Sequence, residues 1–172
     1  MSYLVFPTKL YDQNLGNVIP VSPDKTISQE TELIHPFVKH YKDHIYPEAL
    51  PEPEMELESA FYFHYPWAWC FQHWIFDCLP KLSFYKNDIP ILIGDYDLYF
   101  DFHRDAFKIL GFEKNLLKVD KPILVKNLIF APVISQNDGA VSETALNFFR
   151  YFVNKIPNIT QKESDMDEET KE

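Results

Sequence analysis

Between about Ser59 and Ile156, short apolar runs alternate with segments in which apolar residues recur every three or four positions. The two periods separate strands from helices, because side chains on a strand alternate faces while those on a helix return to one face each turn. Ser59 to His64 (SAFYFH) is an aromatic run with strand propensity, closed by Tyr65 and Pro66. From Pro66 to about Tyr85 the chain is rich in helix formers and aromatics, and Pro66 suits a first-turn position. Pro90 to Gly94 (PILIG) has the form of a strand buried on both faces. Residues near Leu98 to Leu110 predict a helix with Phe102, Phe107 and Leu110 on one side and Gly111 at its C-terminal stop. Leu116 to Val119 and Ile123 to Pro132 predict two further strands, and Glu143 to Lys155 a final helix with the apolar stripe Leu146, Phe149 and Val153. The order βαβαββα predicts the α/β class, a three-layer sandwich around a mainly parallel sheet.

Upstream the pattern is weaker. Pro47 to Pro53 (PEALPEP) reads as an extended linker, since each proline removes a donor and biases its predecessor away from helix. The chain thus divides into an irregular N-terminal arm and linker (1–54), an α/β lobe (55–157) and a tail (158–172). The tail is nearly devoid of apolar residues and is expected to be disordered.

The 172 residues suit one ordinary domain, and 16 Lys+Arg against 26 Asp+Glu leave a net charge of −10. That balance counts against nucleic acid or an anionic membrane as a partner, because both require a basic face. The acidity is concentrated, however: residues 43–58 carry −6 and residues 161–172 carry −4, which is the whole net charge. The lobe between them is near neutral, so charge says nothing of its substrate. No apolar run approaches the roughly 20 residues of a membrane span, and the start MSYLVFPTKLYDQN has no basic region before a long apolar core, so the expected location is cytoplasmic. Cys70 and Cys78, eight positions apart in one expected helix, would lie about 12 Å apart along its axis and are expected to be free thiols.

The densest chemistry lies in WAWCFQHWIFDCLPKL, residues 67–82. On a helix His73 and Asp77, four apart, share a face. A carboxylate accepting from one imidazole nitrogen fixes the tautomer and raises the basicity of the other, as a general base needs. The plainer alternative is a His and an Asp that satisfy each other under aromatic packing.

The string from His73 to Leu82, HWIFDCLPKL, resembles the HW-(L/I)-x-D-x-LP-(R/K)-L element of glycosyltransferase family 61, which includes capsular-polysaccharide transferases, plant xylosyltransferases and O-GlcNAc or O-mannose-extending enzymes. Ile91-Leu92-Ile93, the segment Phe107 to Phe112 and Leu128-Ile129-Phe130-Ala131-Pro132 are similar to that family's following strand, helix end and L-x-x-P strand. The resemblance covers roughly residues 55 to 155, and only the HWxxDxLP element is specific. It departs from the family where Cys70-Phe71-Gln72 stands in place of an asparagine-led N-Y-x before the histidine. Where the family leads into a second lobe, with a basic SRR-like segment and a histidine-glycine-alanine element that engage the donor, this sequence runs into an acidic tail, so the resemblance is to the first lobe alone.

The resemblance implies the acceptor-side, Rossmann-like lobe of a GT-B inverting, metal-independent transferase, inactive without a donor-binding lobe. His73 and Asp77 are the implied base and its orienter. Trp69, Gln72 and Trp74 are the implied substrate-binding residues, although either tryptophan is equally at home in a core. A nucleotide-sugar donor is expected only where a second lobe is supplied. The acceptor would be a carbohydrate or glycoprotein, with a further copy or a partner chain as possible company and no cofactor or metal. The alternative is a non-catalytic glycan- or protein-binding or scaffold module built on the same fold.

Weaker signals surround this one. His35, His40 and His44 have partial metal-ligand spacing but read as surface histidines. Asp95-Tyr96-Asp97 mimics a metal-clamping DxD but reads as a loop with Asp97 as a helix N-cap. With four glycines, the sequence contains neither GxGxxG nor a P-loop, and it has no G-x-S-x-G elbow.

Overall fold

Every strand expected from the apolar runs forms in a computed structural model of the chain, which describes residues 2–10, 13–21, 51–65, 68–86, 88–131 and 141–156. The strands are β1 (Ser2–Leu10), β2 (Gln13–Val21), β3 (Met55–Tyr62), β4 (Ile91–Ile93), β5 (Leu116–Lys118) and β6 (Ile123–Phe130). They make one six-stranded sheet in the order β2-β1-β6-β3-β4-β5. Strands β6, β3, β4 and β5 run parallel, and β1 is antiparallel to both β6 and β2. The protein is therefore an α/β fold with a mainly parallel sheet.

The N-terminal arm is not irregular over residues 2–10 and 13–21, contrary to the sequence reading. It is a β-hairpin whose first strand pairs with β6 through Tyr3, Leu4 and Val5. Two prolines disguised it: Pro20 sits on the outer strand, and Pro7 lies beyond the stretch paired with β6, both places where a missing donor is tolerated. The linker's first part, His35, His40, His44 and the acidic tail lie outside the described residues.

Alternation along the central strands builds two cores. Phe61 and Phe63 of the β3 segment, with Ile91 and Ile93, face the helices, where they meet Trp74, Cys78, Leu79, Leu82, Ala106, Phe107 and Phe148. Ala60, Tyr62 and Leu92 face the other way, toward Val5, Val119, Ile123, Val125 and Leu128. A three-residue α1 (Phe71–His73) continues without a break into a π-helical turn (Trp74–Cys78) and a 3₁₀ turn (Leu79–Phe84). The change of winding has a local cause. Pro80 has no N–H to give, and its ring crowds the carbonyl four residues back, so the preceding turn widens and Leu79 N–H reaches Trp74 O instead.

Helix α2 (Asp101–Leu110) ends as expected at Gly111, whose φ of 77° is the left-handed conformation that glycine adopts at low cost. Helix α3 (Glu143–Val153) is capped by Ser142, whose Oγ accepts from Ala145 N–H. Its inner face is Ala145 and Phe148, with Phe149 and Phe152 alongside, so the expected stripe is corrected: Leu146 and Val153 are exposed. The helix carries two apolar stripes of valid period, and Ala145 is the small residue on the one that is buried.

Candidate functional site

The carboxyl ends of parallel strands are where open α/β sheets place ligands, because loops and helix N-termini converge there. Here that edge carries His64, Asp77 and Asp97, buried ionisable groups among the described residues. Strand β3 runs on into His64 and Tyr65, which point to opposite faces by simple alternation. Tyr65 joins the helix-side core, while the His64 ring lies 6.3 Å from that of Tyr62 on the other face.

On the helix side, His73 and Asp77 are joined by Nδ1···Oδ2 at 2.6 Å. A carboxylate only accepts, so Nδ1 carries the hydrogen and Nε2 is the basic nitrogen. The imidazole is 43% exposed and the carboxylate 11%. Asp77 Oδ1 is buried without a hydrogen-bond partner, an acceptor held ready at the foot of the site. The Tyr65 ring stands 5.9 Å from the imidazole. Burial, with Asp77 and Cys78 adding to it, raises the Tyr65 hydroxyl pKa, so it stays protonated. Burial likewise pushes the Cys78 thiol up, which makes it a core residue rather than a nucleophile. Both cysteines are free.

A second pair lies on the other face. His64 Nδ1 donates to Asp97 Oδ2 at 2.6 Å, with both side chains sealed. Asp97 also accepts from Gly94 N–H at 2.6 Å and from Tyr65 N–H at 3.4 Å, so one carboxylate ties the ends of β3 and β4 together. The reading of Asp97 as a helix N-cap is corrected. It belongs to the 3₁₀ turn Asp95–Leu98, and Phe100 precedes α2. Asp95 pairs with Lys118, so the two carboxylates of the DxD string serve different partners. His64 was not singled out in the sequence. A 33-residue separation leaves no spacing signal, although its place at the end of an aromatic strand was visible.

Of the residues implied to bind substrate, Gln72 is exposed and Trp69 is 45% exposed. Trp74 is corrected to a core residue: it is fully buried, edge-on to Phe63 at 5.4 Å and 4.2 Å from the ring of His103. His103 is itself buried, and Phe100 N–H donates to its Nδ1. Burial lowers its pKa to about 4, against the opposing pull of Asp97 and the Ala68 backbone, so it is neutral at pH 7. Beside this core a run of rings reaches the surface: Phe71 against Phe102, Phe102 stacked on Phe100, and Phe100 edge-on to Tyr99. Phe71, Tyr99 and Phe100 are exposed.

Comparison with protein-family models, with curated proteins and with solved structures found no match. Among the described residues no helix is long and apolar enough to cross a membrane.

Proposed function

We propose that this chain supplies the acceptor-side lobe of an inverting, metal-independent sugar transferase similar to glycosyltransferase family 61. One observation carries the reading: the 2.6 Å His73–Asp77 bond, made within HWIFDCLPKL, with a half-exposed imidazole at the carboxyl edge of the sheet. His73 takes the proton of an acceptor hydroxyl as that oxygen forms its bond to the anomeric carbon. The bond from that carbon to the donor phosphate breaks, and the leaving group keeps the electron pair. Asp77 holds the ring and balances the imidazolium. Trp69 and Gln72 border the acceptor, a carbohydrate or glycoprotein. The fold in this reading is one Rossmann-like, three-layer lobe of a GT-B enzyme, and the protein works in the cytoplasm. The nucleotide-sugar donor belongs to a second lobe or partner chain, without which turnover is negligible because, among the described residues, the site holds none assigned to orient the leaving phosphate.

The test is an NMR titration of the wild-type chain with a panel of oligosaccharides, following the His73 imidazole and Trp69 indole signals, beside calorimetry with UDP-sugars. Saccharides are expected to shift both signals and UDP-sugars to give no heat. A silent saccharide panel, or a micromolar UDP-sugar site, would overturn the reading.

The exposed rings of Phe71, Tyr99 and Phe100 favour a second reading, a non-catalytic glycan- or protein-binding module on the same fold. Asp77→Asn separates the two once a donor lobe is supplied: it abolishes transfer in the first and changes nothing in the second.

A further inference from the structure

Of the two apolar stripes on α3, the fold uses one. Ala145 and Phe148 are buried, whereas Leu146 and Val153 are exposed and Phe149 is half-buried. Leu146, Phe149 and Val153 recur at intervals of three and four, the a-d-a spacing of a seam that a second helix covers. The Phe76 ring meets Phe149 edge-on at 6.0 Å, so the apolar surface continues onto the neighbouring segment. Glu143 and Arg150, both exposed, take successive e positions of the same heptad, on the flank of the seam away from Ala145.

We propose that this seam seats the same seam of a second copy of the chain, with the two α3 helices antiparallel about a two-fold axis. The charges select both the occupant and its direction. In an antiparallel pair e positions face e positions, so Glu143 of each copy meets Arg150 of the other, and the axis makes the ion pair twice. Leu146 of each copy then packs on Phe149 of the other. A parallel pair would set e opposite g, where Ala145 and Phe152 offer nothing to either charge. Opposed helix dipoles favour the same direction. The pairing does not depend on saccharide chemistry and stands apart from the transferase reading.

Sedimentation equilibrium of the full chain tests it. An 11-residue helix gives a short contact, at the weak end of specific interfaces, so self-association with a Kd on the order of 100 µM is expected. Leu146→Asp, at an exposed position, should leave the thermal melt nearly unchanged and weaken association by at least about tenfold. Glu143→Arg and Arg150→Glu each set like charges opposite one another twice, so each variant alone should be monomeric where the wild type is dimeric. An equimolar mixture of the two should associate as the wild type does, because every cation then faces an anion. The proposal is overturned by a wild-type chain that is monomeric up to about 1 mM or assembles beyond a dimer. It is equally overturned by a dimer indifferent to Leu146→Asp or to the charge variants, or by a mixture of folded charge variants that stays monomeric. Should a charge variant not fold, Leu146→Asp decides alone: lost association supports the pairing and unchanged association refutes it.

Discussion

His64 and Asp97 share a 2.6 Å bond between Nδ1 and Oδ2, and neither side chain is more than 1% exposed. His73 and Asp77 share the same bond at the same length, with the imidazole 43% exposed. The chemistry is identical and the surroundings are opposite. A sealed pair has no reagent to act on and earns its place by satisfying buried donors; a pair open on one side can exchange a proton with a ligand.

The sealed pair should therefore dominate stability. Asp97→Ala leaves His64 Nδ1 and the N–H groups of Gly94 and Tyr65 without their acceptor. The expected loss is about 3–5 kcal/mol in urea denaturation, with Asp97→Asn milder because its amide oxygen still accepts.

The open pair should cost little. Water screens the half-exposed imidazole, so His73→Ala is expected to lower stability by under about 1 kcal/mol while removing the saccharide response. A loss of several kcal/mol would mark His73 as a structural group.

Acid sensitivity follows from His103. Its pKa falls from 6.5 in the unfolded chain to about 4 in the fold, so between those values the unfolded chain binds more protons. The stabilisation from keeping it neutral is complete above pH 6.5 and is lost as pH falls toward 4, roughly 3 kcal/mol in all. Urea denaturation across this window should show stability rising with pH, with a shallower slope in His103→Asn.

The tryptophans should divide in the same way. Trp74→Ala empties a fully buried site and is expected to cost about 3–5 kcal/mol. Trp69→Ala, at a ring 45% exposed, should change stability by less than about 1 kcal/mol and weaken saccharide binding. Thermal melts of the two variants make the comparison.

Much of the helix and strand order was legible because period and punctuation are local. Gly111 stops α2 where its φ demands glycine, and PILIG is the buried strand its composition implies. The hairpin was hidden by Pro7 and Pro20, and the pairing that adds it to the sheet, with β6, lies more than 100 residues on. The His73–Asp77 contact was legible for the opposite reason: four residues on one helical segment bring two side chains together whatever the fold. The contact of Lys81 with Tyr65, the ammonium lying over the ring 5.0 Å from its centre, was not, because it joins a helical segment to a strand end.

The sequence by itself determined the α/β class, the parallel core strands and one His–Asp pair, all consequences of backbone periodicity over a few residues. Tertiary structure decided which aromatic side is buried, turning Trp74 inward and leaving Phe71 and Trp69 exposed. It also decided that Asp97 belongs to His64, and that His73 faces solvent while His64 does not. Those outcomes depend on burial, and burial is fixed only when distant segments pack and exclude water from one side of a residue and not the other.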